Sequence, residues 1–280
     1  MARLEENRYG KTGVRLLKVT RRDGVHSVFE WTVRVLLEGD FEHAFLTGSN
    51  AELLTTDTMK NTVYARANES TAESIEEFAG ELTAFLLHRN PRVKAVEVHV
   101  EQVLWKRLTI AGVPHPDSFM RGSDEVQVAT LRRTRDCVRL SCGFDNMVVL
   151  KTAKSGFQGY LKDEYTTLKE TADRLLGTSI TASWIYMGTR GDFDRLRTDV
   201  REVLLEVFAG HDSLSVQQTL FAMAEAALER VPELLEMTLT MPNLHNILVD
   251  LKPFGLENRN EIFMPTRDPS GYIHARVTRG

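Results

Sequence analysis

The chain has 280 residues, of which 42% are hydrophobic and 26% charged, and its 35 Lys and Arg set against 39 Asp and Glu leave a net charge of −4. That balance excludes disordered, collagenous and disulfide-scaffold classes, and it offers no basic field to hold a nucleic-acid backbone, so no nucleic-acid partner is expected. No apolar run reaches the roughly 18 residues of a membrane span, and the opening MARLEENRYGKTG lacks the apolar stretch of a signal peptide. We therefore expect a cytoplasmic chain with no membrane partner.

In chain order, VRLLKVTR (14–21) and VHSVFEWTVRVLLEG (25–39) read as strands joined by an Asp-Gly turn at 23–24. FEHAFLTG (41–48) is expected to be a third strand. TTDTMKNTVYARAN (55–68) reads as a helix with Thr or Asp as its N-cap. The next helix carries Ile75, Phe78, Ala79, Leu82, Phe85 and Leu86 on one face and stops before Pro91. VKAVEVHVEQVLWKRLTIAG (93–112) alternates as a strand should, and EVQVATLRRTR (125–135) is its expected hairpin partner across a Pro-rich loop, GVPHPDSF.

The second half repeats the order. CVRLSCGF (137–144) and VVLKT (148–152) read as two strands, 153–178 as an irregular stretch, and SITASWIYMG (179–188) as a strand. Helices follow over 192–210 and 215–231, the first with Phe193, Leu196, Val200, Val203, Leu204 and Val207 on one face. LLEMTLTMP, ILVDLKPFG and GYIHARV close the chain as strands. This pattern predicts an α+β fold of two tandem halves, 1–136 and 137–280, each an antiparallel sheet with helices on one face. EWTVRVLL, VKAVEVHV and SITASWIYM carry apolar residues on more than one face, so a barrel closed by several subunits is expected to bury the uncovered side.

Familiar catalytic signatures are missing. YGKT at 9–12 imitates the end of a phosphate-binding loop, but Glu5 stands where that motif needs Gly. There is no G-x-G-x-x-G after a strand, no H-E-x-x-H, no G-x-S-x-G, and no Cys or His spacing for a metal. Cys137 and Cys142, five apart on a strand, face opposite sides and read as free thiols without function. Polar clusters remain at Tyr9-Gly10-Lys11, Thr55-Thr56-Asp57, SGFQGYLKDEYTTLKETADR (155–174), SVQQT (215–219) and MPNLHN (241–246).

With these clusters in order, the sequence resembles the urate oxidase (uricase) family. RYGK, TTDTMKNTVYA, the LKTxxSGFxGYxxDEYTTLKETADR segment, SVQQT and PNxH look like the family's signatures and span residues 8 to about 272. The resemblance implies two tandem T-fold halves, four subunits stacked into a tunnelled barrel, and oxidation of urate by O2 to 5-hydroxyisourate and H2O2 in purine degradation, with no metal, flavin or haem cofactor. It further implies active sites between subunits, with Lys11 and Thr56 from one chain and the other residues from another.

By the same resemblance Phe157 stacks on the purine, Arg174 forks onto its carbonyl and ring nitrogen, and Gln217 with the backbone N–H of Val216 reads its amide edge. Thr56 and Asp57 offer a hydroxyl and backbone N–H groups at a helix start, Asn243 holds O2 or water over the ring, and Lys11, Thr56 and His245 form a proton relay. The chemistry suits these residue types. Arg presents planar paired donors to an anion, a Gln amide gives one donor face and one acceptor, first-turn N–H groups are free, and imidazole titrates near neutrality. Taken alone, Arg174 reads as a surface partner of Asp173 or Glu170, and His245 as structural. Asn243 and His245, two apart on an expected strand, should point the same way. Leu244 stands where many relatives carry Lys. The C-terminal VTRG is no peroxisomal tripeptide, which favours a bacterial, cytoplasmic enzyme. A non-catalytic purine-binding homologue and a pterin-processing T-fold enzyme are the alternatives; the filled relay positions argue against the first, and the absent His/Cys cluster against the second.

Overall fold

The computed structural model describes residues 2–266 and 268–280. Two compact units emerge, one of Met1–Phe144 with Ile185–Asp194, the other of Asp145–Trp184 with Arg195–Gly280. Both combine antiparallel strands with helices, an α+β architecture.

In the first unit, β1 (Tyr9–Arg22), β2 (Val25–Gly39), β3 (Val93–Ile110) and β4 (Val113–Thr134) pair in that order, each antiparallel to the next. The Asp23-Gly24 turn has φ of 51° and 76°, the two positive values that a tight hairpin with right-handed strand twist demands. Gly10 is required where β1 crosses β2: a Cβ there would sit 1.9 Å from the Val35 carbonyl oxygen. Helix α2 (Thr56–Glu69) packs on β1, and α3 (Ile75–Arg89), opened by a Ser74/Glu77 capping box, packs on β3 and β4. Trp31, Val33, Val35 and Leu37 alternate along β2 into this core, and Trp31 stacks on Phe78 of α3 with centroids 4.7 Å apart.

Two expectations need correction here. FEHAFLTG is not a strand but holds the short helix α1 (Glu42–Leu46): Phe41 is buried edge-on against Tyr9, and Thr47 N–H returns to the His43 carbonyl. GVPHPDSF is not a loop. The β3–β4 turn is only Ala111-Gly112, with φ of 49° and 81°, and the prolines lie inside β4. Proline forfeits a ladder donor, but Arg107 donates to the His115 and Pro116 carbonyls at 2.7 Å and covers Phe119, which keeps the arm extended. The face of this sheet away from the helices is mixed: it carries the pairs Arg15–Glu30, Arg34–Glu97 and Arg132–Glu38 and the His99–Thr130 hydrogen bond, and, opposite Glu30 and Glu97 in register, the apolar Leu17, Val103 and Leu36.

CVRLSCGF and VVLKT form one strand, β5 (Val138–Lys151), not two; the residues between them continue the strand, with Asn146 at φ 58°, a value Asn tolerates. From β5, which enters the second unit at Asp145, the strand order is β5, β6 (Leu176–Tyr186), β7 (Leu234–Thr240) and β11 (His274–Thr278). The two-residue strand β8 (Asn243–Leu244) pairs with β6, and β9 (Asn246–Leu248) with β10 (Phe263–Pro265). Helix α4 (Phe193–Gly210) precedes α5 (Val216–Arg230), which packs on β7 and β11. Neither Cys137 nor Cys142 is in a disulfide. No described helix is long and apolar enough to cross a membrane.

Candidate active site

The irregular segment after β5 is held in place by its backbone. Gly156 N–H donates to the Ser213 carbonyl and Ser213 N–H to Lys154, while Phe157 and Thr171 exchange both backbone bonds at 2.8 and 3.2 Å. A Cβ at Gly156 would stand 3.0 Å from the Ala172 carbonyl oxygen, so these strands of loop meet this closely only around glycine. The result places Arg174 beside Phe157, its guanidinium carbon 5.2 Å from the ring centroid.

Arg174 then enters a cavity of about 430 Å³ in the second unit, lined also by Asp173, Asn243, Leu244, His245, Asn260 and Phe263. Its Nε is buried without a hydrogen-bond partner among the described residues, and burial pushes its pKa down. The two acids that could have neutralised it are engaged elsewhere. Asp173 accepts from Ser155 N–H at 3.1 Å, and Glu170 pairs with Lys162 at 2.9 Å. A half-buried guanidinium with no acid paired to it among the described residues, beside an aromatic ring, has the shape and charge to receive a planar anion.

Asn243 is fixed from both sides: it pairs with Thr178 of β6, and its N–H donates to the Gly271 carbonyl at 2.9 Å. His245 lines the same cavity, but β8 ends at Leu244, so it stands between β8 and β9 and not on one strand with Asn243; its side chain is exposed. Its carbonyl accepts from Thr266 N–H and Oγ1. The far wall was missed in the sequence. ILVDLKPFG looked like one strand, yet it forms β9, a 3-10 turn (Lys252–Phe254) and a loop organised by Asn258, whose amide donates to the Val249 and Ile262 carbonyls and whose oxygen accepts from Glu261 and Ile262 N–H. Gly255, Asn258 and Asn260, three turn-formers within six residues, were the available signal.

Val216 and Gln217 open α5 and do not line this cavity. Ser215 caps the helix by accepting from Gln218 N–H, which leaves the Val216 and Gln217 N–H groups without intrahelical acceptors. Ser213, whose Oγ donates to the Ser215 carbonyl, ties this helix start to the Phe157 segment. The Gln217 side chain is exposed.

The first unit contains Lys11, Thr56 and Asp57. Thr55, not Thr56, caps α2 by accepting from Thr58 N–H, so the Thr56 and Asp57 N–H groups are left open in the same way as those of Val216 and Gln217. The Asp57 carboxylate is not open: it accepts from Lys60 at 2.5 Å and Asn61 at 2.9 Å. Its pKa is held below the usual range, first by the Lys60 hydrogen bond and charge, with a smaller contribution from Lys11. Lys11 sits half-buried at the β-bulge between Lys11 and Val14, where Gly13 has φ 66°, and makes no hydrogen bond or ion pair among the described residues. Also among these residues, no three His, Cys, Asp or Glu side chains converge on a common point.

A profile of the uricase family matches residues 7–132 and 140–274. The chain is 40% identical over 276 residues to a uricase of Arthrobacter globiformis, covering 99% of this chain and 90% of that one. It is 36% identical to a uricase of Aspergillus flavus, covering 100% and 98%. The crystal structure of the Arthrobacter globiformis uricase superposes with a TM-score of 0.94 at 39% identity, over 100% of this chain and 96% of that one. A Bacillus sp. TB-90 urate oxidase, at 21% identity and TM-score 0.86, shares the fold. The chain belongs to the uricase family.

Proposed function

We propose that the chain is a urate oxidase, converting urate, O2 and water to 5-hydroxyisourate and H2O2 without a cofactor. The observation that carries this reading is the unpaired, half-buried Arg174 beside Phe157 in a cavity shared with Asn243 and His245. Urate is a flat, electron-rich anion. Phe157 stacks on its face, Arg174 donates in a fork to a carbonyl and ring nitrogen, and Gln217 with Val216 N–H meets the opposite amide edge. Thr56 and Asp57 contribute the second open helix start.

Loss of a proton turns bound urate into a dianion that can give up an electron to O2, so the protein has to orient, exclude bulk water and move protons. Asn243 holds O2, and later water, over the ring. Lys11, Thr56 and His245 pass the protons. Lys11 and Thr56 come from one subunit and Phe157, Arg174, Gln217, Asn243 and His245 from another, in a homotetramer of tandem T-fold halves divided near residues 136 and 137. The family match and the equivalent open starts of α2 and α5 support this duplication. The enzyme works in the cytoplasm.

The relay is tested by Lys11→Met and Thr56→Ala, which should keep the oligomer and lose most activity; wild-type rates in both would refute it. Shared sites are tested by co-refolding inactive Lys11→Met and Arg174→Met chains. Mixed oligomers should regain part of the activity, and none should return if each chain builds its own site.

A further inference from the structure

Tyr160 is the residue that the function described above leaves unused. It lies three residues beyond Phe157, and Gly159 between them adopts φ 70°, a left-handed turn that folds the chain back. The tyrosine ring thereby lands flat on the phenylalanine ring, with centroids 4.9 Å apart and planes 13° from parallel. Two further contacts fix Tyr160 itself. Its hydroxyl donates to the Leu168 carbonyl at 2.6 Å, and the Lys162 ammonium, paired to Glu170, lies 5.6 Å from its ring centroid. The ring sequence is thus Lys162, Tyr160, Phe157, all within one backbone-pinned segment.

We propose that Tyr160 is a positioning residue for substrate: it backs one face of Phe157 and fixes the plane of the ring on which a planar purine anion stacks, beside the Arg174 guanidinium 5.2 Å from the same ring. This rests on the reading of Phe157 as the stacking partner of urate. A half-buried phenylalanine in a loop without regular structure would otherwise rotate about χ1 and χ2, and binding would have to order it. A ring already fixed at the binding angle avoids that cost, which makes the effect one on affinity and not on the chemical step.

The test compares Tyr160→Leu, which keeps apolar bulk but removes the flat ring, with Tyr160→Phe, which keeps the ring and drops only the bond to Leu168. Steady-state urate oxidation and urate binding under anaerobic conditions are measured on both, alongside thermal midpoints. Tyr160→Leu should raise KM and the anaerobic Kd by roughly two- to tenfold, the range of one aromatic pair, with kcat within about twofold of wild type. Tyr160→Phe should restore both constants. Wild-type KM in Tyr160→Leu, a loss of kcat in place of affinity, or a Tyr160→Phe variant as impaired as the leucine one would overturn the inference. A fall in thermal midpoint of both variants with no Kd change would also overturn it, as a structural role only. If wild-type chain itself fails to bind or oxidise urate, the urate oxidase reading fails, and that outcome is separate from all of these.

Discussion

Replacing Arg174 by methionine should separate function from stability in opposite directions. The side chain keeps its length and loses its charge and donors. In the folded chain Arg174 has Nε buried without a partner, Asp173 is turned to Ser155 and Glu170 to Lys162. No ion pair is therefore broken by the change. Burying an unsatisfied group costs about 1–3 kcal/mol, and because this side chain is only half-buried the lower end applies, with solvent screening discounting the charge. Removing that cost should leave the thermal midpoint unchanged or raise it by about 2–4 °C. Urate, by contrast, loses two charge-assisted hydrogen bonds worth about 1.5–3 kcal/mol each. At 1.4 kcal/mol per tenfold, kcat/KM should fall by about 10²- to 10⁴-fold. Urate disappearance by ultraviolet absorbance and a thermal melt on the same preparation measure both. A midpoint lowered by 5 °C or more, or a kcat/KM within threefold of wild type, would show that Arg174 is a structural cation after all.

Three further outcomes follow from the geometry. Gly10→Ala drives a Cβ to 1.9 Å from the Val35 carbonyl oxygen, so β1 must separate from β2 beside Lys11, and both soluble yield and activity should drop; a wild-type melt would contradict the close approach. The Lys60 contact keeps the Asp57 carboxyl below its ordinary pKa. Its contribution is therefore present above the unfolded carboxylate pKa and lost as pH falls through the folded value, and Lys60→Ala should move the Asp57 titration upward by NMR, an unshifted titration counting against it. Arg279 donates to the Leu228, Val231 and Leu234 carbonyls, from the last turn of α5 to the start of β7, so Arg279→Ala should cost about 1–3 kcal/mol in denaturant unfolding, and no change in midpoint would show these bonds to be replaceable by water.

Local pattern carried much of the architecture into view. The apolar spacing from Ile75 to Leu86 and the stop before Pro91 foretold α3, and Asp23-Gly24 foretold the first hairpin, because these features are decided by neighbours in sequence. What failed was decided at long range. Pro114 and Pro116 argued for a loop until Arg107, from the opposite strand, supplied the bonds that hold β4 extended. β9 and β10 could not be paired from sequence, since their register depends on the Asn258 loop. The ion pairs interleaved with apolar residues on the helix-free face, such as Arg34–Glu97, appear only when register is known. At the site, the five polar clusters identified the residue types. Yet the feature that leaves Arg174 unpaired among the described residues, the diversion of Asp173 and Glu170 to other partners, is a property of the folded loop alone.

The central claim is tested most directly by following urate, O2 and H2O2 together in air-saturated buffer with a strong metal chelator present. The account predicts that the purified chain consumes urate and O2 one for one, releases one H2O2 for each, and keeps its rate in the chelator. Absence of turnover, or turnover abolished by the chelator, would contradict it.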